Sequence, residues 1–307
     1  MFDLVTVGHF AVDLVTSPKI STPKPTLGGA PTYVSLTAKK LGATVSVISK
    51  VGTDFSDEYL GFLKANAIDL SGLRKVESAS TTRFVLKYEN SERKLQIKSR
   101  APPIVVQDIP ASLSAKAIHV APIAHEISPE VIERLETLTN ILSLDPQGFI
   151  RRFDGRGNVR RGRWHDPVVL KRIDVYKSSS NEIRAATGRT NLQAAMKSIC
   201  KKGADIVIAT RGIRGSKLLL KGRFHDLPAC KPRVFKDPTG AGDAFIGAFL
   251  AEYVKGKAPV WCACVGSAAA SFVLEGFGPT VFGEREETYS RAGDIYDKVA
   301  VQKNNKV

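Results

Sequence analysis

The sequence predicts an α/β protein with a mostly parallel central sheet, because short strand patterns alternate with helical patterns along most of its 307 residues. Two further observations refine this fold class. Residues 75–100 interrupt the alternation and indicate an antiparallel hairpin inserted into the α/β body. A glycine-rich turn at residues 240–242 leads into an apolar helix. We therefore expect helices on both faces of the sheet, a small β-sheet lid, and an anion-binding turn at one helix N-terminus.

The predicted strands are short runs rich in apolar and β-branched residues. In chain order they are Leu4–Val7, Thr44–Ser49, Ala117–Val120, Ile141–Leu144, Val175–Lys177 and Asp205–Ala209. The predicted helices fall between and after these strands. They are Tyr33–Leu41, Glu58–Asn66, Pro129–Leu138, Asn181–Thr187, Leu192–Lys201 and Gly242–Tyr253. Strands and helices that alternate in this way form right-handed βαβ units, whose ligands bind beyond the carboxyl ends of the strands.

The second, smaller sheet is predicted by two segments that alternate apolar and polar residues. Thr81–Glu89 and Lys94–Lys98 lie on either side of Asn90-Ser91-Glu92, as the strands of a hairpin lie on either side of its turn. Asp13–Thr16 could add a third strand. A small sheet above the strand ends would form a lid, and a plain surface hairpin is the alternative.

The domain prediction follows from these elements. We predict one domain over residues 1–307, with the lid formed by about residues 13–20 and 75–100. An exposed lid sheet would favour a homodimer that pairs through the lid.

Composition and charge narrow the classes of function. Lys and Arg outnumber Asp and Glu by 45 to 30, and the net charge of +15 suits a partner that carries phosphate groups. Since no apolar run reaches about 18 residues, the sequence offers no membrane span. The first residues lack the basic region and cleavage site of a signal peptide, so we expect a cytoplasmic protein.

The densest basic cluster lies within residues 151–163, which contain six arginines. Such a cluster could bind RNA phosphates. Only Phe153 and Trp164 could stack bases there, so we prefer a solvated basic loop and do not expect nucleic acid to bind.

The most informative segment is Asp237-Pro-Thr-Gly-Ala-Gly-Asp243. Gly240, Ala241 and Gly242 leave backbone amides uncovered at the positive end of a helix, where they form an anion cradle. The Asp243 carboxylate would repel a bound phosphate unless it accepts a proton during the reaction. Cradle and carboxylate together indicate phosphoryl transfer to a hydroxyl, with Asp243 as the base. For an isolated GAGD, a glycine-rich helix N-terminus without catalytic function is the alternative.

The full pattern D-P-T-G-A-G-D, followed by small and apolar residues, resembles the C-terminal signature of the ribokinase-like (PfkB) family of sugar and nucleoside kinases. Shorter segments in the family's order extend the resemblance over residues 3–282. The resemblance implies a ribokinase-like fold and a kinase that uses ATP and Mg²⁺ to phosphorylate an alcohol group of a small molecule. Serine hydrolase and Walker A motifs do not occur in the sequence.

Two N-terminal segments resemble the acceptor site of the family. Asp13 follows the first strand, where its carboxylate could accept hydrogen bonds from substrate hydroxyls. Gly28 and Gly29 match the Gly-Gly motif, which lets a ligand approach the backbone closely. Tyr33 stands where family members often carry a sugar-contacting asparagine, and this departure argues against a ribokinase-type sugar pose.

A third segment, Asp145-Pro-Gln-Gly-Phe-Ile-Arg151, resembles the D-x-Q-G-x-x-R variant of the inositol-kinase branch. It adds Gln147 and Arg151 to the predicted acceptor site.

Later segments resemble the donor site. Lys177-Ser-Ser-Ser-Asn-Glu182 corresponds to the family's N-x-x-E, which puts Ser179 at the Asn position, with Asn181 as the alternative register. The resemblance implies that Glu182 orders Mg²⁺ through water, and that Lys177 and Ser179 lie at the nucleotide. A helix-capping carboxylate is the alternative for Glu182.

The last two donor segments lie further along the chain. Thr210, Gly212 and Gly215 match the T-x-G-x-x-G turn that borders ATP in the family, although a simple hairpin turn has the same sequence. Gly278 lies in the loop after the final apolar helix, which the resemblance assigns to the adenine site.

The acceptor that these segments favour first is myo-inositol or a similar cyclitol, because of D-x-Q-G-x-x-R and Tyr33. Ribose-like sugars, sugar phosphates and nucleosides are the alternatives. Two hypotheses from other classes are an RNA-binding protein on a kinase-like fold and a nucleotide sensor without turnover. The intact GAGD argues against the RNA-binding protein, because a protein without catalytic function does not need Asp243, whereas the nucleotide sensor would bind ATP without consuming it.

Overall fold

A computed structural model describes residues 1–16, 24–89 and 92–304. The predicted lid residues 17–20 and the predicted turn residues Asn90 and Ser91 lie outside the described residues. In the described part of the chain, no helix combines the length and the apolar character that crossing a bilayer requires.

The strands and helices are as follows. The strands are β1 (Phe2–Val7), β2 (Ala11–Thr16), β3 (Pro25–Gly28), β4 (Val45–Gly52), β5 (Asp69–Val76), β6 (Thr82–Glu89), β7 (Glu92–Ser99), β8 (Ala115–Val120), β9 (Thr139–Leu144), β10 (Arg151–Phe153), β11 (Val159–Arg161), β12 (Val175–Ser179), β13 (Ile206–Thr210), β14 (Ser216–Leu220) and β15 (Arg223–Leu227). The helices are α1 (Ala30–Lys40), α2 (Asp57–Ala65), α3 (Pro129–Glu136), α4 (Gln147–Ile150), α5 (Pro167–Leu170), α6 (Ser180–Thr187), α7 (Leu192–Cys200), α8 (Ala241–Tyr253), α9 (Pro259–Val273) and α10 (Arg285–Asn304).

The central sheet has the strand order β15-β14-β13-β12-β9-β8-β1-β4-β5 in the described residues. The seven strands from β13 to β5 pair in parallel, and β14 and β15 add an antiparallel hairpin at one edge. The chain leaves β1 towards β4 on one side and later returns to β8 on the other. Such a reversal of strand order opens a crevice at the carboxyl ends of the strands, where ligands bind.

Helices cover both faces of this sheet, as the sequence predicted. Along β1, Leu4 packs into an apolar cluster with α1, α8 and α9, whereas the next residue, Val5, packs into a cluster with α3, α6 and α7. Because successive strand residues point to opposite faces, the two clusters lie on opposite sides of the sheet. Helices α8 and α9 are buried along most of their lengths, which agrees with their nearly continuous apolar sequences.

The lid is a four-stranded sheet of order β3-β2-β6-β7. The predicted hairpin is confirmed as β6 and β7, and β2 pairs in parallel with β6. The predicted lid range began too early, because residues 75 and 76 belong to β5 of the central sheet. The lid also contains β3, which the sequence analysis did not predict.

The arginine-rich segment is a second hairpin, so the prediction of a loop was wrong, although five of its six arginines are exposed to solvent as expected. Strands β10 and β11 pair antiparallel and lie against the outer lid strand β7. The Ile97 amide donates to the Gly157 carbonyl at 2.9 Å, and the Gln96 side chain donates to the Arg156 carbonyl at 2.6 Å. The hairpin therefore extends the lid.

Several strands were missed for identifiable reasons. Strand β5 is an edge strand in which Gly72 is the one buried residue of eight, so it lacks an apolar alternation. Strands β10 and β11 have three residues each, too few to show a period. Strand β15 is also an edge strand and is mostly polar.

Candidate active site

A cavity of about 920 Å³ lies between the lid and the carboxyl ends of the central strands. Strand ends β9, β12 and β13 contribute one wall, the lid contributes another, and the N-terminus of α8 forms the floor between them. Most of the predicted site residues meet here. Those that line the cavity are Asp13, Gly29, Tyr33, Gln147, Arg151, Lys177, Ser179, Glu182, Thr210, Gly212, Gly215, Gly240, Ala241, Gly242 and Asp243.

Two predicted residues do not line the cavity. Gly28 packs directly behind the Asp13 carboxylate, because a Cβ built on Gly28 would lie 2.2 Å from Asp13 Oδ2. Gly28 thus leaves room for Asp13 and does not face a ligand itself. Gly278 lies beside Thr26 of β3, where a Cβ would be 3.3 Å from the Thr26 Cβ. The assignment of Gly278 to the adenine wall therefore has no support in the cavity.

The predicted anion cradle lies at the first turn of α8. Gly240 caps this helix with a φ of 79°, a left-handed conformation that favours glycine. A Cβ at Gly240 would also lie 2.2 Å from Cδ1 of Tyr33. Tyr33 is 2% exposed, and its ring packs against the ring of Phe282, with 6.4 Å between the two ring centres. The tyrosine at the family's asparagine position therefore supports the cradle from behind while one part of it lines the cavity.

Asp243 follows the cradle and is partly exposed to the cavity. Gln147 Nε2 donates to Asp243 Oδ1 at 3.4 Å, and Gln147 Oε1 accepts from Arg151 Nη2 at 2.7 Å. Arg151 is held in turn by its Nη1, which donates to the Ile123 carbonyl at 2.7 Å. Gln147 and Arg151 thus reach the carboxylate that the sequence predicts as the base.

Lys177 and Asp145 form a buried ion pair beneath the cradle. Lys177 Nζ lies 2.6 Å from Asp145 Oδ2, and a Cβ built on Gly242 would lie 2.9 Å from Lys177 Nζ. Burial raises the pKa of Asp145 to about 6, although Lys177 acts in the opposite direction. Burial disfavours the ammonium of Lys177, but Asp145 and Asp243 together raise its pKa. Lys177 is therefore a fixed positive charge next to both aspartates.

Glu182 forms a reciprocal cap at the N-terminus of α6. Its amide donates to Ser179 Oγ at 3.2 Å, and its Oε2 accepts from the Ser179 amide at 3.0 Å. Burial acts to raise the pKa of Glu182, but the hydrogen bonds from Ser179 and the charge of Lys177 lower it. The carboxylate therefore stays ionised. Ser179 lines the cavity whereas Asn181 is exposed, which favours the register that assigns Ser179 to the donor site.

The residues present fit a Mg²⁺ ion that is bound mainly through donor phosphates and water. No group of three or more His, Cys, Asp and Glu side chains converges as a metal site in the described ranges. Glu182 is nevertheless ionised and lines the cavity, and Mg²⁺ usually takes one or two carboxylates together with phosphates and water.

The end of the cavity that the sequence predicts for the acceptor lies under the lid. Asp13, which is 7% exposed, is aligned with Phe84 of β6, so that both side chains project from the same face of the lid. Leu86 and Leu95 are paired across β6 and β7 and also line the cavity. One carboxylate thus stands within an apolar surface.

The end of the cavity that the sequence predicts for the donor is bordered by the turn between β13 and β14. The T-x-G-x-x-G segment is a hairpin turn that also lines the cavity, so the two interpretations of it are compatible. Beyond it lie mostly small or apolar side chains. They include Ala229, Phe235, Ala270 and Leu274.

The sequence analysis left out three charged residues of the site, Asp145, Arg161 and Lys231. Asp145 had a visible signal, since it is an acidic residue directly after a predicted strand. Arg161 also lines the cavity, but it is one of six arginines within thirteen residues, and nothing in the sequence distinguishes it from the others.

Comparisons with known proteins agree with this geometry. The profile of the pfkB family of carbohydrate kinases matches residues 1–284. Cytidine kinase of Thermococcus kodakarensis is 29% identical over 288 residues, which cover 91% of this chain and 98% of that protein. Inositol 3-kinase of Arabidopsis thaliana is 27% identical over 286 residues, which cover 90% of this chain and 75% of that protein.

A solved structure has the same architecture. It is a pyrophosphate-dependent kinase in the ribokinase family, complexed with a pyrophosphate analog and myo-inositol. It superposes with a TM-score of 0.80 at 24% identity and covers 94% of this chain and 99% of its own. The fold is therefore ribokinase-like, as the sequence predicted.

Proposed function

The chain belongs to the pfkB family of carbohydrate kinases, and from this premise we propose that it transfers the γ-phosphoryl group of ATP to a hydroxyl of a small polyhydroxylated acceptor. Membership makes the chain a phosphotransferase with an alcohol group as acceptor. The observation that carries the assignment of roles is the convergence of the cradle and Asp243 on a cavity that also holds Lys177 and Glu182.

In the proposed reaction, the acceptor hydroxyl oxygen attacks the γ-phosphorus and the bond to the β–γ bridging oxygen breaks. Asp243 takes the proton of the hydroxyl, and ADP leaves with the electron pair of the broken bond. The amides of Gly240 and Gly242 would face the charge that develops on the transferred group, while the Ala241 amide donates to the Pro238 carbonyl at 3.4 Å. Lys177 adds a positive charge that cannot move away, because Asp145 holds it at 2.6 Å.

Glu182 would hold the hydrated Mg²⁺ that accompanies ATP, and Asp145 lies in the same cavity. The ion would supply positive charge to the β- and γ-phosphate oxygens.

A ribonucleoside is the acceptor that the lid favours. Asp13 can accept hydrogen bonds from two neighbouring hydroxyls, while Phe84, Leu86 and Leu95 offer an apolar surface beside it. A nucleoside presents both a diol and a flat base, so both kinds of surface would be used. The similarity to cytidine kinase over 98% of that protein supports the same choice.

A cyclitol such as myo-inositol is the second candidate. Gln147 and Arg151 of D-x-Q-G-x-x-R line the acceptor side of Asp243, and the similarity to inositol 3-kinase supports it. A cyclitol carries hydroxyls around its whole ring, so it would leave several of them against the apolar lid. Ribose-like sugars and sugar phosphates follow as further alternatives.

The proposed donor is ATP, although a structural relative is described as pyrophosphate-dependent. The donor end has an apolar wall that includes Ala229, Ala270 and Leu274. A nucleobase would cover this wall, whereas pyrophosphate would leave it exposed to water.

A screen of donors against acceptors tests the proposal. ATP, GTP and pyrophosphate are each combined with Mg²⁺ and with cytidine, other nucleosides, myo-inositol, ribose, fructose and the corresponding phosphates. Product formation is followed by phosphorus NMR. We expect turnover with ATP and a nucleoside. If myo-inositol is the only acceptor that is phosphorylated, the second candidate is selected. If none of the acceptors is phosphorylated with any donor, the proposed function is contradicted.

The predicted homodimer would pair through β3. The other edge strand of the lid, β7, is already bridged to β11 at Gln96 and Asn158. Light scattering during size-exclusion chromatography tests this, and a monomer at micromolar concentration would contradict it.

A further inference from the structure

The β10–β11 hairpin presents two different arginine faces. Arg151 pairs with Arg161 across the two strands, and Arg152 pairs with Arg160. Residues directly opposite each other in an antiparallel pair project to the same face, and neighbouring residues project to opposite faces. Arg151 and Arg161 therefore share one face, while Arg152 and Arg160 share the other.

The face with Arg161 is the one that looks into the cavity. Phe153 and Val159 lie on this same face and pack against the apolar cluster under the lid, which includes Phe84. The Arg151 guanidinium lies over the Phe84 ring at 5.2 Å from its centre. Arg161 lines the cavity, whereas Arg160 does not.

The two inward arginines differ in how they are held. Arg151 is fixed by Ile123 and Gln147. The Arg161 side chain is exposed, and no hydrogen bond, ion pair or ring contact to it occurs among residues 1–16, 24–89 and 92–304. A guanidinium that faces a cavity in this way keeps its five N–H donors for a ligand.

We propose that Arg161 binds a phosphoryl group in the acceptor half of the cavity, so that the arginine-rich hairpin is a second, phosphate-binding part of the lid. The inference rests on the proposed phosphoryl transfer. Planar guanidinium groups match phosphate oxygens through paired hydrogen bonds. The phosphoryl group can come from two sources. It is either the γ-phosphoryl group during transfer or a phosphate ester that the acceptor already carries.

The test compares Arg161→Gln with the matched control Arg160→Gln, which removes the same charge from the opposite face of the same strand. Steady-state kinetics are measured for each neutral acceptor that the wild type uses and for the same acceptor with a phosphate ester. We expect Arg161→Gln to lose about 10- to 100-fold in kcat/KM relative to Arg160→Gln. A lower kcat with both acceptors identifies the γ-phosphoryl group. A higher KM with the phosphorylated acceptor alone identifies the ester.

A second measurement needs no turnover, so it separates this inference from the proposed function. Inorganic phosphate is titrated calorimetrically into the wild type and both variants. If no acceptor is turned over, this titration decides, and we expect Arg161→Gln to bind phosphate about tenfold more weakly than Arg160→Gln. Equal phosphate affinity in the two variants, including no binding in either, then overturns the inference. Where there is turnover, kinetics that agree within about twofold between the variants overturn it.

Discussion

Single residues determine the shape of the anion cradle. Gly240 has a left-handed conformation and has the Tyr33 ring directly behind it, and Gly242 has the Lys177 ammonium in the same position. Each glycine therefore allows one supporting side chain to come within contact distance of the helix start. The cradle and its support are therefore specified together by residues that are distant in the sequence, since Tyr33 precedes Gly240 by 207 positions and Lys177 precedes Gly242 by 65.

The proposed base gives the first prediction. Asp243→Asn keeps the shape of the side chain but cannot accept the hydroxyl proton. We expect kcat to fall about a hundredfold or more, with the acceptor KM changed little. Near-normal turnover in the variant would reject the role of Asp243. Thermal unfolding checks that the protein still folds, which we expect because Asp243 is partly exposed.

The cradle glycine gives the second prediction. Gly240→Ala introduces a Cβ at a φ of 79° and 2.2 Å from the Tyr33 ring. We expect the free energy of unfolding to fall by about 1–3 kcal/mol and activity to be lost. The matched control is Gly61→Ala in α2, where a Cβ meets nothing within 4 Å, and which we expect to be stabilising by about 0.5–1 kcal/mol. Similar urea unfolding curves for the two variants would contradict this account of Gly240.

At the scale of elements, the N-terminus of α6 combines a structural and a chemical role in one side chain. Glu182 closes the cap with Ser179 and also supplies an ionised carboxylate to the cavity. The two alternatives that the sequence left open for this residue are therefore compatible. The structural role and the chemical role can be tested separately, because glutamine also forms a capping box at this position but carries no charge.

Glu182→Gln is the third prediction. The amide keeps the cap but removes the charge, so we expect the apparent Mg²⁺ affinity to fall about tenfold or more. The free energy of unfolding should change by less than about 1 kcal/mol, whereas Ser179→Ala should lose about 1 kcal/mol because it removes the cap. Mg²⁺ titrations of turnover and urea unfolding measure the two effects. An unchanged Mg²⁺ dependence in Glu182→Gln would argue for a purely structural carboxylate.

Elements with a strong periodic signal could be predicted from the sequence, and those without one could not. The buried strand β13 is a nearly continuous apolar run, and the lid hairpin alternates clearly over 81–98. The site motifs could be predicted because each follows a strand or begins a helix. Arg161 could not, because its position depends on a three-residue register between β10 and β11 that only the folded chain establishes.

At the scale of the whole molecule, buried ionisable groups make stability depend on pH. Burial lowers the pKa of His119 to about 3 and also lowers the pKa of His9. The folded protein therefore keeps both rings neutral in a range where the unfolded chain, with a histidine pKa of 6.5, takes up protons. This stability is present above about pH 6.5 and is lost as the pH falls towards the folded values.

The fourth prediction is the resulting pH profile. We expect the free energy of unfolding to fall below about pH 6.5, by up to about 1.4 kcal/mol per pH unit for each buried histidine. Asp145 has the opposite effect on the free energy of unfolding. Its pKa in the folded protein is raised to about 6, so its buried charge destabilises the folded state above pH 6, and this destabilisation disappears as the pH falls from 6 towards 3.8. Urea unfolding between pH 7.5 and 5.5 measures the slope. His119→Gln should reduce the number of protons taken up on unfolding by about one, which makes the slope shallower. An unchanged slope would contradict the conclusion that the His119 ring is buried and neutral in the folded protein.

Asp13 lies on β2, which belongs to the lid and not to the central sheet. The carboxylate proposed to hold the acceptor is therefore attached to the cover of the cavity, while the proposed base is attached to its floor. With this arrangement, an acceptor can contact Asp13 and Asp243 at the same time only when the lid lies over the cavity. We therefore expect acceptor binding and exclusion of bulk solvent to be coupled, which would limit hydrolysis of the donor by water.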